Sequence, residues 1–189
     1  MSIISTPSPE DVTGLAAEIY ADDTEHMGYV PDHTRVMAVN PEAYLAWENL
    51  IGAIAGGMDK RRYELVTLAA ADALESKHCR LAHGKKTLKY IDEESLAAVA
   101  RDYHHADLTE AEVAMMDFAA KVSTDSSSMT DADTTRLREL GFSDRDIVDI
   151  ALAAAARNYF SRAVQALGAD VDVPTVLTTE LSDALVRGL

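Results

Sequence analysis

The sequence of 189 residues contains a single cysteine, Cys79, so no disulfide can form within one chain. A disulfide framework, which small secreted domains use in place of a large core, is therefore excluded. No stretch approaches 18 uncharged apolar residues, so no membrane-spanning helix is predicted. The N-terminus lacks a basic segment followed by a long apolar run, and we expect a cytoplasmic protein without a signal peptide.

Positive charge is also scarce. The chain has 17 Lys and Arg residues against 32 Asp and Glu, which gives a formal net charge of −15. A surface this acidic repels the phosphate backbone of DNA or RNA, so we expect no nucleic acid as a partner. The lack of a long apolar run likewise leads us to expect no membrane as a partner.

Proline is the third scarce residue and occurs at positions 7, 9, 31, 41 and 174. The interval 42–173 has none, and because proline interrupts helices, this interval permits a nearly unbroken series of them. Alanine, leucine, glutamate and arginine, all strong helix formers, are abundant there. We predict an all-α fold of about seven to nine helices in one domain over 1–189, with its core at about 10–170 and a tail at 171–189.

Residues suited to helix ends indicate the boundaries. Pro9 and Glu10 are expected to open the first helix. Thr109 and Glu112 have the spacing of a capping box, in which side chain and backbone at a helix start bond reciprocally. Further starts and ends are predicted at Asn40-Pro41, Gly56-Gly57, Ser143 and Gly168.

The stretch "ALESKHCRLAHGKK" surrounds the cysteine with a serine and two histidines. Ser76 is suited to cap a helix whose first turn holds Cys79, where the helix dipole favours a thiolate. His83 follows Cys79 by four residues and shares its face, so its imidazole can accept the thiol proton. His78 is rotated by roughly 100° and flanks the site. Glu64 on the preceding helix can fold back and orient the ring of His83.

Each of these residues also has a purely structural interpretation. Cys79 can be a buried core thiol, and Ser76 can be an ordinary helix cap. His83 can bond a backbone carbonyl, and His78 can lie in solvent. Glu64 can pair with a cation in the preceding turn of its own helix.

A metal site is a further alternative. Glu75, His78, Cys79 and His83 are residue types that bind zinc or iron. On one helix, however, the first two and the last two side chains do not converge on one point, and no second ligand cluster follows in the sequence. We expect no metal and no cofactor.

An internal similarity links two segments. "ELVTLAAADALESKHCRLA" can be aligned with "DIVDIALAAAARNYFSRAV" at a fixed offset of 82 positions, which sets Ser161 opposite Cys79 and Phe160 opposite His78. The shared residues are mostly alanine and valine, which amphipathic helices share by chance. If the similarity reflects a duplication, the two segments are related helical hairpins, and only the first carries cysteine and histidine.

The pattern Glu64, then Ser76-x-His78-Cys79-x-x-x-His83, resembles the carboxymuconolactone decarboxylase / alkylhydroperoxidase D (AhpD) superfamily. Its peroxidase branch carries an upstream glutamate followed by C-x-x-C-x-x-x-H. The segments "GYVPDHTRVMAVNPEAYLAWENL" and "LRELGFSDRDIVDIALAAAARNYFSRAVQALG" also look like the peroxidase-related members, so the resemblance covers roughly residues 10–170.

The resemblance implies an all-helical homo-oligomer, either a dimer, a trimer or a trimer-based hexamer, with thiol-dependent hydroperoxidase activity. It makes Cys79 the peroxide-reacting sulfur, His83 its proton acceptor, Glu64 the start of the relay and His78 an accessory residue. The chain departs from the pattern at Ser76, where redox-active members have the first cysteine. Serine cannot resolve a sulfenic acid into a disulfide.

The leading hypothesis is therefore an antioxidant peroxidase with peroxiredoxin-like activity, in which Cys79 reduces a small hydroperoxide and an external thiol restores it. A second hypothesis is decarboxylase-like acid–base catalysis by His83 and Glu64 on a small lactone or keto acid, with Arg80 or Lys77 holding the substrate carboxylate. The third is a non-catalytic helical oligomer that binds a small ligand.

Overall fold

A computed structural model describes residues 3–189; the first two residues of the predicted domain lie outside the described residues. Within 3–189 the chain is all-α, as predicted, with ten α-helices, two short 3₁₀ turns and no strand. The α-helices are α1 Gly14–Met27, α2 Asp32–Met37, α3 Pro41–Gly57, α4 Lys60–Ala73, α5 Lys77–Thr87, α6 Glu93–Asp102, α7 Glu110–Asp125, α8 Asp131–Glu139, α9 Asp144–Ala166 and α10 Thr179–Leu185. The 3₁₀ turns are Tyr103–His105 and Ser126–Ser128.

The predicted number of helices, seven to nine, was too low, because the segment 171–189 was taken as a tail. It contains α10, which packs against α5 and α6. Leu181 and Leu185 of α10 are fully buried in the main core. Burying two leucines removes enough apolar surface from water to hold a seven-residue helix that would not be stable by itself.

The first helix begins at Gly14, so the predicted start at Pro9 and Glu10 is wrong. The carbonyl of Ser8 instead accepts hydrogen bonds from the amides of Asp11 and Val12, and its hydroxyl bonds the Asp11 carboxylate. This closes a separate turn. Gly14 then has a φ of 64°, a conformation open to glycine that interrupts the helical path between that turn and α1.

Most of the predicted helix ends are confirmed. The Asn40 side chain accepts the amide of Ala43 at the start of α3. Thr109 and Ser143 each form a capping box at the start of α7 and α9. These bonds satisfy amides that have no partner inside a helix, which is why the local sequence was sufficient to predict them.

Helix α4 is the centre of the bundle. Its residues from Tyr63 to Ala71 are all buried, and it packs against α5, α7 and α9. A smaller apolar cluster lies beside this core and joins side chains of α1, α2, α3 and the second half of α9. Cys79 belongs to this second cluster. The sulfur therefore lies where the central helices meet the N-terminal ones.

The longest helix, α9, has 23 residues and carries polar side chains on its buried face, among them Arg157 and Ser161. Neither α9 nor any other helix within 3–189 has the combination of length and apolar character needed to cross a membrane. The suggestion of two related hairpins is wrong. The first aligned segment is broken between α4 and α5, whereas the second lies within the unbroken α9.

Candidate active site around Cys79

The turn between α4 and α5 positions the cysteine. Glu75 has a φ of 54°, in the left-handed region where glycine is usual. The amide of Ser76 bonds the Ala71 carbonyl and that of Glu75 bonds the Asp72 carbonyl, which is the pairing of a Schellman motif. The reversal lets Ser76 begin the next helix, where its Oγ accepts the amide of Cys79 at 3.5 Å. Ser76 is thus the predicted cap.

Glu64 and His83 form a buried pair across α4 and α5. Oε2 of Glu64 lies 2.6 Å from Nδ1 of His83, and both side chains are almost completely buried. Burial raises the pKa of Glu64 to about 7. Burial, together with the positive charge of Arg157, lowers the pKa of His83 well below its usual value. The imidazole is therefore neutral at pH 7, with the carboxyl close to its midpoint.

Cys79 is 1% exposed, but its sulfur is not enclosed by hydrocarbon alone. The hydroxyl of Ser161 lies 3.1 Å from Sγ, and Nη1 of Arg157 lies 3.6 Å from it. Both donors come from α9. No hydrogen bond joins His83 to the sulfur, although the two residues occupy one face of α5. The contacts of the sulfur therefore come from α9, and the proton transfer predicted for His83 stays a prediction.

Arg157 is itself a buried cation, with 3% of the residue exposed. Its guanidinium lies 5.9 Å from the centre of the Trp47 ring and 5.7 Å from that of Phe160. These aromatic faces attract the cation. Its Nε has no hydrogen-bond partner, and within residues 3–189 no carboxylate forms an ion pair with it. The arginine is held by aromatic rings and by the sulfur.

His78 is buried, at 8% exposure, so its interpretation as a solvated helix residue is wrong. Its ring meets that of His33 from α2 in a T-shaped contact with centroids 4.4 Å apart. Nδ1 of each ring is buried without a partner. Burial lowers the pKa of His78 to about 4 and that of His33 to about 3. Both are neutral at pH 7.

The structure thus brings the predicted residues Glu64, Ser76, His78, Cys79 and His83 into one region. Sequence reasoning missed three others. Ser161 had one signal, since the offset of 82 residues set it opposite Cys79. Arg157 and His33 had none.

Several structural alternatives are excluded by geometry. Glu64 does not pair with its neighbouring cations, because Arg61 binds Glu112, Arg62 lies 3.9 Å from Asp146 and Lys60 donates to the Ala55 carbonyl. His83 bonds a carboxylate and not a carbonyl.

Arg80 and Lys77, the two cations suggested for a substrate carboxylate, differ in exposure. Arg80 is buried, pairs with Asp72 and donates to the Ala100 carbonyl, so it is not free for a substrate carboxylate. Lys77, the other cation suggested for that role, is exposed. Within 3–189 no three His, Cys, Asp or Glu side chains converge as metal ligands.

Comparison with solved structures shows what this fold is. No family model matches the chain, and no curated protein matches it in sequence. An uncharacterized peroxidase-related protein from Ralstonia eutropha JMP134, described as an alkylhydroperoxidase AhpD core, is 27% identical with a TM-score of 0.80, covering 98% of this chain and 96% of that one. A peroxidase-related protein from Silicibacter sp. TM1040 is 23% identical with a TM-score of 0.75, covering 90% and 92%.

The debrominase Bmp8 has the same fold at 16% identity, with a TM-score of 0.75 and coverage of 97% and 96%. The fold of this chain is that of the AhpD-like superfamily. Since a debrominase shares the fold, the fold does not select one reaction. The reaction must be argued from the residues around Cys79.

Proposed function

We propose that the protein is a thiol-dependent hydroperoxide reductase in which Cys79 is the only redox-active residue. The observation that carries the proposal is the buried sulfur with hydrogen-bond donors from Ser161 and Arg157, one helix turn from the Glu64–His83 pair. A polar, cationic environment favours the thiolate, which is the nucleophilic form of cysteine. A sulfur in a purely apolar core would lack this activation.

The first step oxidises the sulfur. The thiolate attacks the terminal oxygen of the hydroperoxide, so an S–O bond forms and the O–O bond breaks. Cysteine becomes sulfenic acid, and the departing alkoxide takes up one proton to become an alcohol. General acid catalysis at that oxygen is where Glu64 and His83 would act.

The protonation of Glu64 decides what His83 can offer. With Glu64 protonated, its O–H donates to Nδ1, and Nε2 of the neutral ring carries the proton. With Glu64 ionised, Nδ1–H donates to the carboxylate and Nε2 becomes an acceptor. Because the pKa of Glu64 is about 7, both forms are populated at neutral pH. The pair can thus serve as acid in one step and as base in the next.

The second step needs a reductant from outside the chain. Ser76 cannot form a disulfide with Cys79, and no other cysteine exists. Two equivalents of a thiol return the sulfenic acid to the thiol, releasing water and a thiol-derived disulfide. A small thiol is favoured, because Cys79 is 1% exposed.

The test is to treat the purified protein with hydrogen peroxide, trap sulfenic acid with dimedone, and measure turnover with dithiothreitol. We expect an adduct at Cys79 and loss of turnover in Cys79→Ala. An unreacted thiol after long exposure, or equal turnover by Cys79→Ala, contradicts the proposal. If a lactone or keto acid is consumed instead, with Cys79→Ser active and His83→Gln inactive, the decarboxylase-like alternative is correct.

We also propose that the functional form is a homo-oligomer. Val148, Leu152 and Tyr159 are each close to half exposed and lie along one side of α9. This stripe carries no charge in a chain of net charge −15, so a second copy can approach there without repulsion. Light scattering should find more than one chain per particle, and Leu152→Glu should reduce that number. A monomeric wild-type protein would contradict the proposal.

A further inference from the structure

The groups that touch the sulfur of Cys79 belong to α9 and not to the helix that carries the cysteine. Arg157 and Ser161 are four residues apart, so their side chains share one face of α9. Both residues are buried, with 3% and 0% of their surface exposed. Each points a donor at Sγ. A buried thiol facing two donors, one of them cationic, is arranged to carry negative charge.

A count of charges leads to the same assignment. The titratable side chains that act on this site are His33, Lys60, Glu64, His78, His83, Lys86 and Lys89, besides Arg157 and Cys79. The three histidines are neutral at pH 7. Only Glu64 and Cys79 can hold a negative charge.

Of those two groups, the sulfur is the one in contact with Arg157. Glu64 is bonded to His83 and half-protonated near pH 7, whereas Sγ lies 3.6 Å from Nη1 of Arg157. A buried guanidinium without an anion is unfavourable. An ionised sulfur supplies that anion, and Ser161 supplies a second hydrogen bond to it.

His83 cannot be the cation that stabilises an ionised sulfur. Its Nδ1 is bonded to Glu64, no hydrogen bond reaches the sulfur, and its burial keeps the ring uncharged. Trp47 and Phe160 hold the guanidinium group beside the sulfur. The compact ammonium group of a lysine would make only part of these contacts.

We propose that Arg157 is the counter-ion that holds Cys79 as a thiolate, that Ser161 orients the ionised sulfur, and that the Glu64–His83 pair acts on the peroxide oxygen and not on the sulfur. The ionisation part of this inference does not depend on the proposed hydroperoxidase function. The division of labour during turnover rests on the proposed hydroperoxidase function.

The experiment measures the alkylation rate of Cys79 by iodoacetamide across the pH range in wild type, Arg157→Met, Arg157→Lys, Ser161→Ala and His83→Gln. Arg162→Met is the matched control, because Arg162 lies on the exposed side of the same helix. We expect Arg157→Met to react about tenfold more slowly at pH 7, with the midpoint of the pH profile at least about one unit higher. Arg157→Lys should recover part of the lost alkylation rate, and Ser161→Ala should lose less of it than Arg157→Met does. His83→Gln and Arg162→Met should keep the wild-type pH profile.

An unchanged profile in Arg157→Met overturns the inference, and so does a shift in His83→Gln as large as that of Arg157→Met. If Arg157→Met does not fold, unchanged profiles in both Arg157→Lys and Ser161→Ala overturn it. Hydrogen peroxide consumption, measured on the same proteins, separates the two proposals. A wild-type thiol that alkylates at low pH but consumes no peroxide would leave the counter-ion assignment intact and end the hydroperoxidase assignment.

Discussion

Oε2 of Glu64 and Nδ1 of His83 lie 2.6 Å apart, where 9% and 4% of their side chains remain exposed. The two residues belong to consecutive helices, and the sharp turn at Glu75 brings them together. Burial favours the neutral form of each, and it raises the pKa of the Glu64 carboxyl to about 7, close to physiological pH. The geometry of the pair therefore suits proton transfer, which is the role that we propose for it.

Removing the charge of Glu64 should abolish the pH response of turnover near pH 7. In Glu64→Gln the amide cannot accept or release a proton, so we expect hydroperoxide turnover to fall by roughly 10²-fold or more, the usual scale for a lost general acid or base. Steady-state assays across the pH range measure it. Glu48→Gln is the control, since Glu48 also has a raised pKa but lies outside the site. A wild-type profile in Glu64→Gln would show that the carboxyl takes no part.

The same carboxyl should make stability depend on pH. Its pKa is about 7 in the folded chain and near 4.5 in the unfolded one, so between these values the folded state holds the extra proton. The free energy of unfolding therefore falls as pH rises from about 4.5 to about 7. Urea unfolding of wild type and Glu64→Gln should show a difference between them that changes over this window. A constant difference would mean that Glu64 is ionised throughout.

The buried histidines should act at lower pH and in the opposite direction. His78 has a pKa of about 4 when folded against 6.5 when unfolded, so the unfolded chain takes up the proton first. Stability contributed by neutral His78 is present above pH 6.5 and is lost as pH falls toward 4, by on the order of 3 kcal/mol. His78→Gln should lose this dependence. His26→Gln should not, because His26 is exposed.

Gly84 tests the docking of α10 on α5. A Cβ at this position would meet Cδ1 and Cδ2 of Leu185, closer than side chains normally approach. We expect Gly84→Ala to lower the free energy of unfolding by roughly 1–3 kcal/mol, the usual cost of overpacking a core. In Gly52→Ala, whose Cβ would meet nothing within 4 Å, the same change should stabilise α3 by roughly 0.5–1 kcal/mol. If both variants gain stability, α10 does not pack there in solution.

Prediction from sequence succeeded where the determining interactions are local. Ser76, Thr109 and Ser143 cap their helices through bonds that reach three residues along the chain. It failed for α1, because the favourable signal at Pro9 competes with a turn closed by Ser8. It failed for α10, because a seven-residue helix depends on the core that Leu181 and Leu185 enter. Interactions between residues close in the sequence were predictable, and those between distant residues were not.

The sequence by itself determined an all-helical chain with one thiol, and it placed Ser76, Cys79 and His83 on one helix with Glu64 on the one before. Only the tertiary structure decided which groups touch the sulfur. Arg157 and Ser161 lie 78 and 82 residues from Cys79, and their contact with its sulfur arises from how α9 lies against the centre of the bundle. Spacing along a helix fixes which side chains share a face, whereas the partner across that face depends on packing between helices distant in sequence.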